Sequence, residues 1–198
     1  MGKTVRLRIR ICFAAFLLLP ALAFPQDRAL FSVRLGECNL TVEANERWHT
    51  LRLRVHPETR TCLIEKGTML AALKGAFSKT GPPMPEGTYS SLSIGRLIDY
   101  PWLSQYLADT AARDGRWDRK RGKTAGMDIN KYVSNLLSRK EVTGPVEEAV
   151  SGGGYKVVSV TVEKVLVGSY REVPLYSGKP LSGKVPYDAQ VWFRLAKD

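Results

Sequence analysis

At 198 residues the chain is long enough for one ordinary domain with a sizeable core. Its 30 Lys and Arg against 19 Asp and Glu give a formal net charge of +11, which favours anionic partners such as glycans, acidic proteins or lipid headgroups. Two histidines and three cysteines leave little material for a metal centre, and no nucleic-acid-binding motif accompanies the positive charge.

The N-terminus reads as an export leader. Lys3, Arg6, Arg8 and Arg10 precede an apolar run over 11–19, Pro20 breaks it, and Ala21 and Ala23 supply small residues before a cut after Ala23. The apolar run is shorter than the roughly 20 residues a membrane-spanning helix needs. The expected organisation is a cleaved signal at 1–23 and one α+β domain over 24–198. That domain divides into a β-meander plus helix (24–80) and a helical and β-hairpin part (88–198). Four of the 30 bases lie in the leader, so the exported chain carries 26 bases against 19 acids, a charge of +7. Its expected location is the periplasm or outside the cell, with no membrane-spanning segment in the mature chain. Losing Cys12 with the leader leaves Cys38 and Cys62, and an even pair in an oxidising compartment predicts a disulfide.

Phe31, Val33 and Leu35 alternate with polar residues, the period of a half-buried strand. Cys38, Leu40 and Val42 continue in a second strand, and Leu51, Leu53 and Val55 in a third, in step with His49. Thr68 is expected to cap a helix presenting Leu70, Leu73 and Phe77, and Lys79-Thr80-Gly81 reads as a helix C-terminus. Residues 91–97 suit another strand. Asp99 then reads as an N-cap, with Pro101 in the first turn of the next helix. A loop of fourteen residues, 114–127, leads to Asp128, a cap for Ile129, Tyr132, Val133, Leu136 and Leu137 at helical spacing. Gly144 and Pro145 open a third helix that ends at Gly152-Gly153-Gly154. Val158, Val160 and Val162 alternate until a parity change near Lys164 suggests a bulge. Two tight turns at 176–184 precede the strongest strand pattern, which runs from Val185 to Leu195. Together these predict an antiparallel sheet with an N-terminal disulfide-tied β-meander and three to four helices on one face.

Chemistry is sparse. His49 and His56 lack a companion nucleophile motif, and no phosphate-cradling loop or zinc-binding helix is present, so no catalytic residue, metal or cofactor is implied. Asp99, Asp109, Asp128 and Glu163 are the carboxylates a glycan hydrolase could pair. The segment least like scaffold carries Arg96, Asp99 and Trp102, then Arg116, Trp117, Arg119, Lys120 and Arg121. Arginines around an aromatic ring suit sugar rings, carboxylates and phosphates. An outward row of Trp192 and Arg194 beside Arg52 and Arg54 forms a second such surface if those strands neighbour one another. The expected function is therefore an exported, non-enzymatic binding protein of the cell envelope, whose basic–aromatic loop meets an anionic glycan or acidic protein. An envelope hydrolase and a structural subunit of an envelope assembly are the alternatives.

Overall fold

The computed structural model describes residues 27–58, 62–78 and 88–198; the leader expected at 1–23 and the helix end expected at 79–81 lie outside them. β1 (Arg28–Leu35) and β2 (Cys38–Asn45) form a hairpin through a two-residue turn with Gly36 first, at φ +62°. β3 (Thr50–His56) pairs antiparallel with β2. Leu40, Val42, Ala44, Leu51 and Leu53 point inward and are buried, while Arg52 and Arg54 alternate outward. His49 departs from the expected parity: it sits exposed in the β2–β3 turn at φ +49°. The Cys38–Cys62 disulfide forms as expected and ties the start of β2 to the segment that follows β3.

α1 (Lys66–Ala76) buries Met69, Ala72, Leu73 and Ala76, and its N-cap is Glu65, three residues before the expected Thr68. The helix occupies the connection from β3 to β4 (Ser91–Arg96), which pairs parallel with β3. Among the described residues this is the one parallel pair in an otherwise antiparallel sheet, because a crossover helix returns the chain to its starting end. A 3₁₀ turn, Leu97–Asp99, precedes α2 (Pro101–Arg113). Pro101 starts α2 as expected, but Tyr100 is its N-cap, and Asp99 belongs to the 3₁₀ turn.

The expected fourteen-residue loop contains a small hairpin of β5 (Trp117–Asp118) and β6 (Lys123–Thr124). Asp128 caps α3 (Ile129–Leu137), accepting from the Lys131 N–H at 3.0 Å. α4 (Lys140–Val150) begins four residues earlier than Gly144 and carries Pro145 inside. Gly154, at φ +75°, then turns the chain into β7 (Tyr155–Gly168). The expected parity change falls at Lys164, at φ +52° in an irregularity between Glu163 and Leu166. β8 (Val185–Lys197) completes the sheet, in the order β1-β2-β3-β4-β8-β7.

The inward residues of β2, β3, β4, β7 and β8 share one core with Leu73 of α1, Leu103 and Leu107 of α2, Val133 and Leu136 of α3, and Val146 of α4. Burying a side chain of this size contributes about 1.5–3 kcal/mol, so the helices stay on that face of the sheet. No helix among the described residues is long and apolar enough to cross a membrane. The opposite face of the sheet carries polar and aromatic side chains, and the candidate site lies there.

Candidate functional site

Strand register builds the site. Glu43 of β2 lies opposite Arg52 of β3, Arg52 opposite Ser93 of β4, Ser93 opposite Trp192 of β8, and Trp192 opposite Thr161 of β7. All five side chains occupy the outer face, so a single row crosses five strands. Arg52 and Trp192 are separated by one strand, a span of roughly 10 Å. Arg194 follows Trp192 on the same face of β8.

Two concavities meet along this row, sharing Arg52, Ser93 and Trp192. One, of about 360 Å³, also takes in Arg54, Arg96, Asp99, Glu58 and Gln190. The other, of about 230 Å³, adds Trp48, Asn45 and Thr50 together with the carboxylates Asp27 and Glu43. Beyond Trp192 a third hollow is lined by Ser91, Thr161, Glu163 and Arg194. The result is a groove running across the strands, with Trp48 at one end and Trp192 in the middle. Trp48 is 65% exposed. Its backbone N–H donates to Asn45 Oδ1 at 2.9 Å, and the Arg47 guanidinium lies 5.0 Å from its ring. An exposed indole held by a turn offers a flat apolar surface.

The groove's cations are not equivalent. Arg54 is engaged by Glu43 at 3.4 Å and Glu58 at 3.1 Å. Among the described residues no carboxylate pairs with Arg52 or Arg194. Arg96 is aimed by Asp188, a carboxylate with only 3% of its side chain exposed, through a 3.3 Å contact to Nε. Asp188 also accepts from the backbone N–H groups of Ile98 at 3.0 Å and Ala189 at 2.9 Å. These bonds compensate the burial of its charge, and they leave the outer nitrogens of the half-exposed Arg96 facing the concavity.

Arg96 reaches the outer face through a bulge. Ser93 pairs with Trp192 and Arg96 with Gln190, so Ile94 and Gly95 together oppose Val191. An uninterrupted strand would send residues 93 and 96 to opposite faces; the extra residue puts both in the groove. Gly95 adopts φ +70°, a conformation that costs a residue with a Cβ roughly 1–2 kcal/mol. Gly95→Val is therefore expected to lower the unfolding free energy by about that amount in urea titration. Loss of the bulge would also turn Arg96 out of the groove.

Asp99 lines the same concavity. Burial pushes its carboxyl up from its ordinary value, while Arg96 and the Cys62 backbone N–H pull it down. Its carbonyl accepts from the Ile64 N–H at 2.7 Å, so the residue also fastens the disulfide segment to the 3₁₀ turn. Two of the other carboxylates considered for hydrolysis serve the fold. Asp109 accepts from the Tyr176 hydroxyl at 2.9 Å, and Asp128 caps α3.

Arg96 and Asp99 thus converge on one concavity, and the remaining loop residues sit elsewhere. Trp102 is half-buried on α2, with Lys66 Nζ 4.9 Å from its ring. Trp117 is only 5% exposed. It stacks on Tyr132 at 5.4 Å and 19°, and its Nε1–H donates to the Lys184 carbonyl at 2.8 Å. The aromatic of the basic loop is therefore a core residue. Arg116 makes a two-pronged pair with Asp114 at 2.7–3.3 Å, and its hydrogen bonds hold the Asp114 carboxyl down at about 2. Arg119, Lys120 and Arg121 form the exposed hairpin tip.

Trp48 escaped sequence reasoning, although a tryptophan in a polar turn outside any apolar period is the signal that marks it. The strands of Arg52 and Arg54 and of Trp192 and Arg194 are not the expected neighbours, because β4 lies between β3 and β8; register through Ser93 nonetheless puts Arg52 and Trp192 in one row. No known protein family, curated protein or solved structure matches this chain.

Proposed function

We propose that this chain is an exported binding protein of the cell envelope that holds an anionic glycan in the groove across the open face of its sheet. The carrying observation is that Trp48, Arg52 and Trp192 line one concavity. Indole faces take the C–H faces of sugar rings, and a guanidinium in the same concavity meets a carboxylate, sulfate or phosphate on the same chain. Arg194 and Arg96 extend the cationic positions along the groove. The disulfide suits the oxidising compartment that the leader implies. The exported charge of +7 attracts polyanions before contact.

The test is calorimetric titration with size-fractionated anionic oligosaccharides and their neutral counterparts. Binding of the anionic series is expected to weaken as salt rises. Trp192→Ala should weaken it by about 30-fold, the scale of a buried aromatic anchor, and Arg52→Ser by about tenfold. Equal affinity for the neutral series would remove the role assigned to Arg52. Shortening of the oligosaccharide during titration would overturn the non-catalytic reading in favour of a hydrolase. Binding of an acidic protein, with no oligosaccharide bound, would transfer the groove to a protein partner.

A further inference from the structure

The bases of the 113–123 segment form a feature separate from the groove. Arg119, Lys120, Arg121 and Lys123 are exposed on the β5–β6 hairpin, and Lys184 is exposed beside them. Asp118, the acid of the hairpin, is used in the turn itself, and its Oδ2 lies 3.7 Å from Arg121 Nε. Its Oδ1 accepts from the Lys120 N–H at 2.9 Å and the Arg121 N–H at 3.1 Å, and its carbonyl accepts from the Gly122 N–H at 2.7 Å. A second clamp comes from the β7–β8 connection, where the Lys184 N–H donates to the Arg119 carbonyl at 2.8 Å. Gly183, at φ +85°, permits that approach: a Cβ there would fall 2.6 Å from the same carbonyl oxygen. Beneath the hairpin, Trp117 anchors its base to the core.

A charge run that served only to keep a loop solvated would not need two main-chain clamps and a buried tryptophan. The hairpin instead carries four exposed cations on a clamped main chain, with the exposed Lys184 joined to it. None of the hollows described above is lined by these five residues, and a polyanionic surface is the partner whose charge complements several exposed bases at once.

We infer that this hairpin is a docking surface for an anionic phospholipid bilayer, placing the groove-bearing domain at a membrane face. The inference goes beyond the glycan reading and does not depend on it. An anionic membrane attracts each basic residue near its surface by about 1 kcal/mol, which is about fivefold in partition per residue. The main chain of the hairpin needs no further ordering on binding, because it is already folded. Attraction of this kind falls away beyond a Debye length, about 10 Å at 0.1 M salt, so only exposed bases close to the contact would contribute fully.

The experiment is co-sedimentation of the protein, purified from the exported fraction, with vesicles of phosphatidylglycerol and phosphatidylcholine or of phosphatidylcholine alone. Binding is expected to the anionic vesicles only, and to disappear at high salt. The triple variant R119S/K120S/R121S should lose about 100-fold in partition. Its thermal unfolding should be unchanged, because the clamps use main-chain atoms of these residues. Trp192→Ala should leave vesicle binding intact, which separates this inference from the groove reading. Vesicle binding that survives the triple substitution, or equal binding to phosphatidylcholine alone, would overturn it. So would the absence of binding to anionic vesicles at low salt.

Discussion

Trp117→Ala is expected to lower the unfolding free energy by about 3–5 kcal/mol, the cost of truncating a buried tryptophan. Two interactions go with the ring: its stack on Tyr132 and its hydrogen bond to the Lys184 carbonyl. Truncation leaves a cavity beneath the hairpin and an unsatisfied carbonyl in the β7–β8 connection. Trp117→Phe should keep most of the packing and lose about 1 kcal/mol for the hydrogen bond. Urea unfolding followed by circular dichroism measures both. A loss below 1 kcal/mol for the alanine variant would mean that the indole is a surface contact after all. In that case oligosaccharide affinity should fall with it.

Replacing Cys38 and Cys62 together by serine is expected to cost about 3.5 kcal/mol. The bridge spans a sequence separation of 24 residues, and the chain-entropy relation for a loop of that length gives this figure. The loss should also be felt at the groove. Cys62 and Ile64 donate their backbone N–H groups to the side chain and carbonyl of Asp99, so a released segment withdraws support from the 3₁₀ turn beside Arg96. The double variant should therefore bind the anionic oligosaccharide more weakly as well as unfold at lower urea. Matching the stability loss by a core substitution far from the turn separates the two effects. If that control weakens binding equally, Cys62 has no local role at the groove.

Local rules read much of the fold correctly. Period-two alternation located β1, β2, β3, β7 and β8, because a strand on a sheet with one covered face must alternate. The stripe through Ile129, Val133 and Leu136 located α3, and Asp128 is its cap in fact. Boundaries failed where two local signals competed. Thr68 is a good cap by type, but the helix had already begun at Lys66. Asp99 is equally good, yet its side chain is drawn to the backbone of Cys62, and Tyr100 takes the cap position. The β5–β6 hairpin was illegible because it has two residues per strand and is held by Asp118, Lys184 and Trp117, contacts that reach across as many as 67 residues of sequence.

The candidate site divides along the same line. Cysteine parity, charge, and the outward residues of each strand follow from chain order alone, since alternation and pairing by elimination need no knowledge of neighbours. The groove required strand order. Arg52 and Trp192 are 140 positions apart, and they share a face only because α1 returns the chain so that β4 enters between β3 and β8. Arg96 joins them only because Gly95 inserts one extra residue in that strand. Burial decided the rest: two tryptophans in polar surroundings look alike in sequence, and packing against Tyr132 placed Trp117 in the core while Trp48 stayed in solvent.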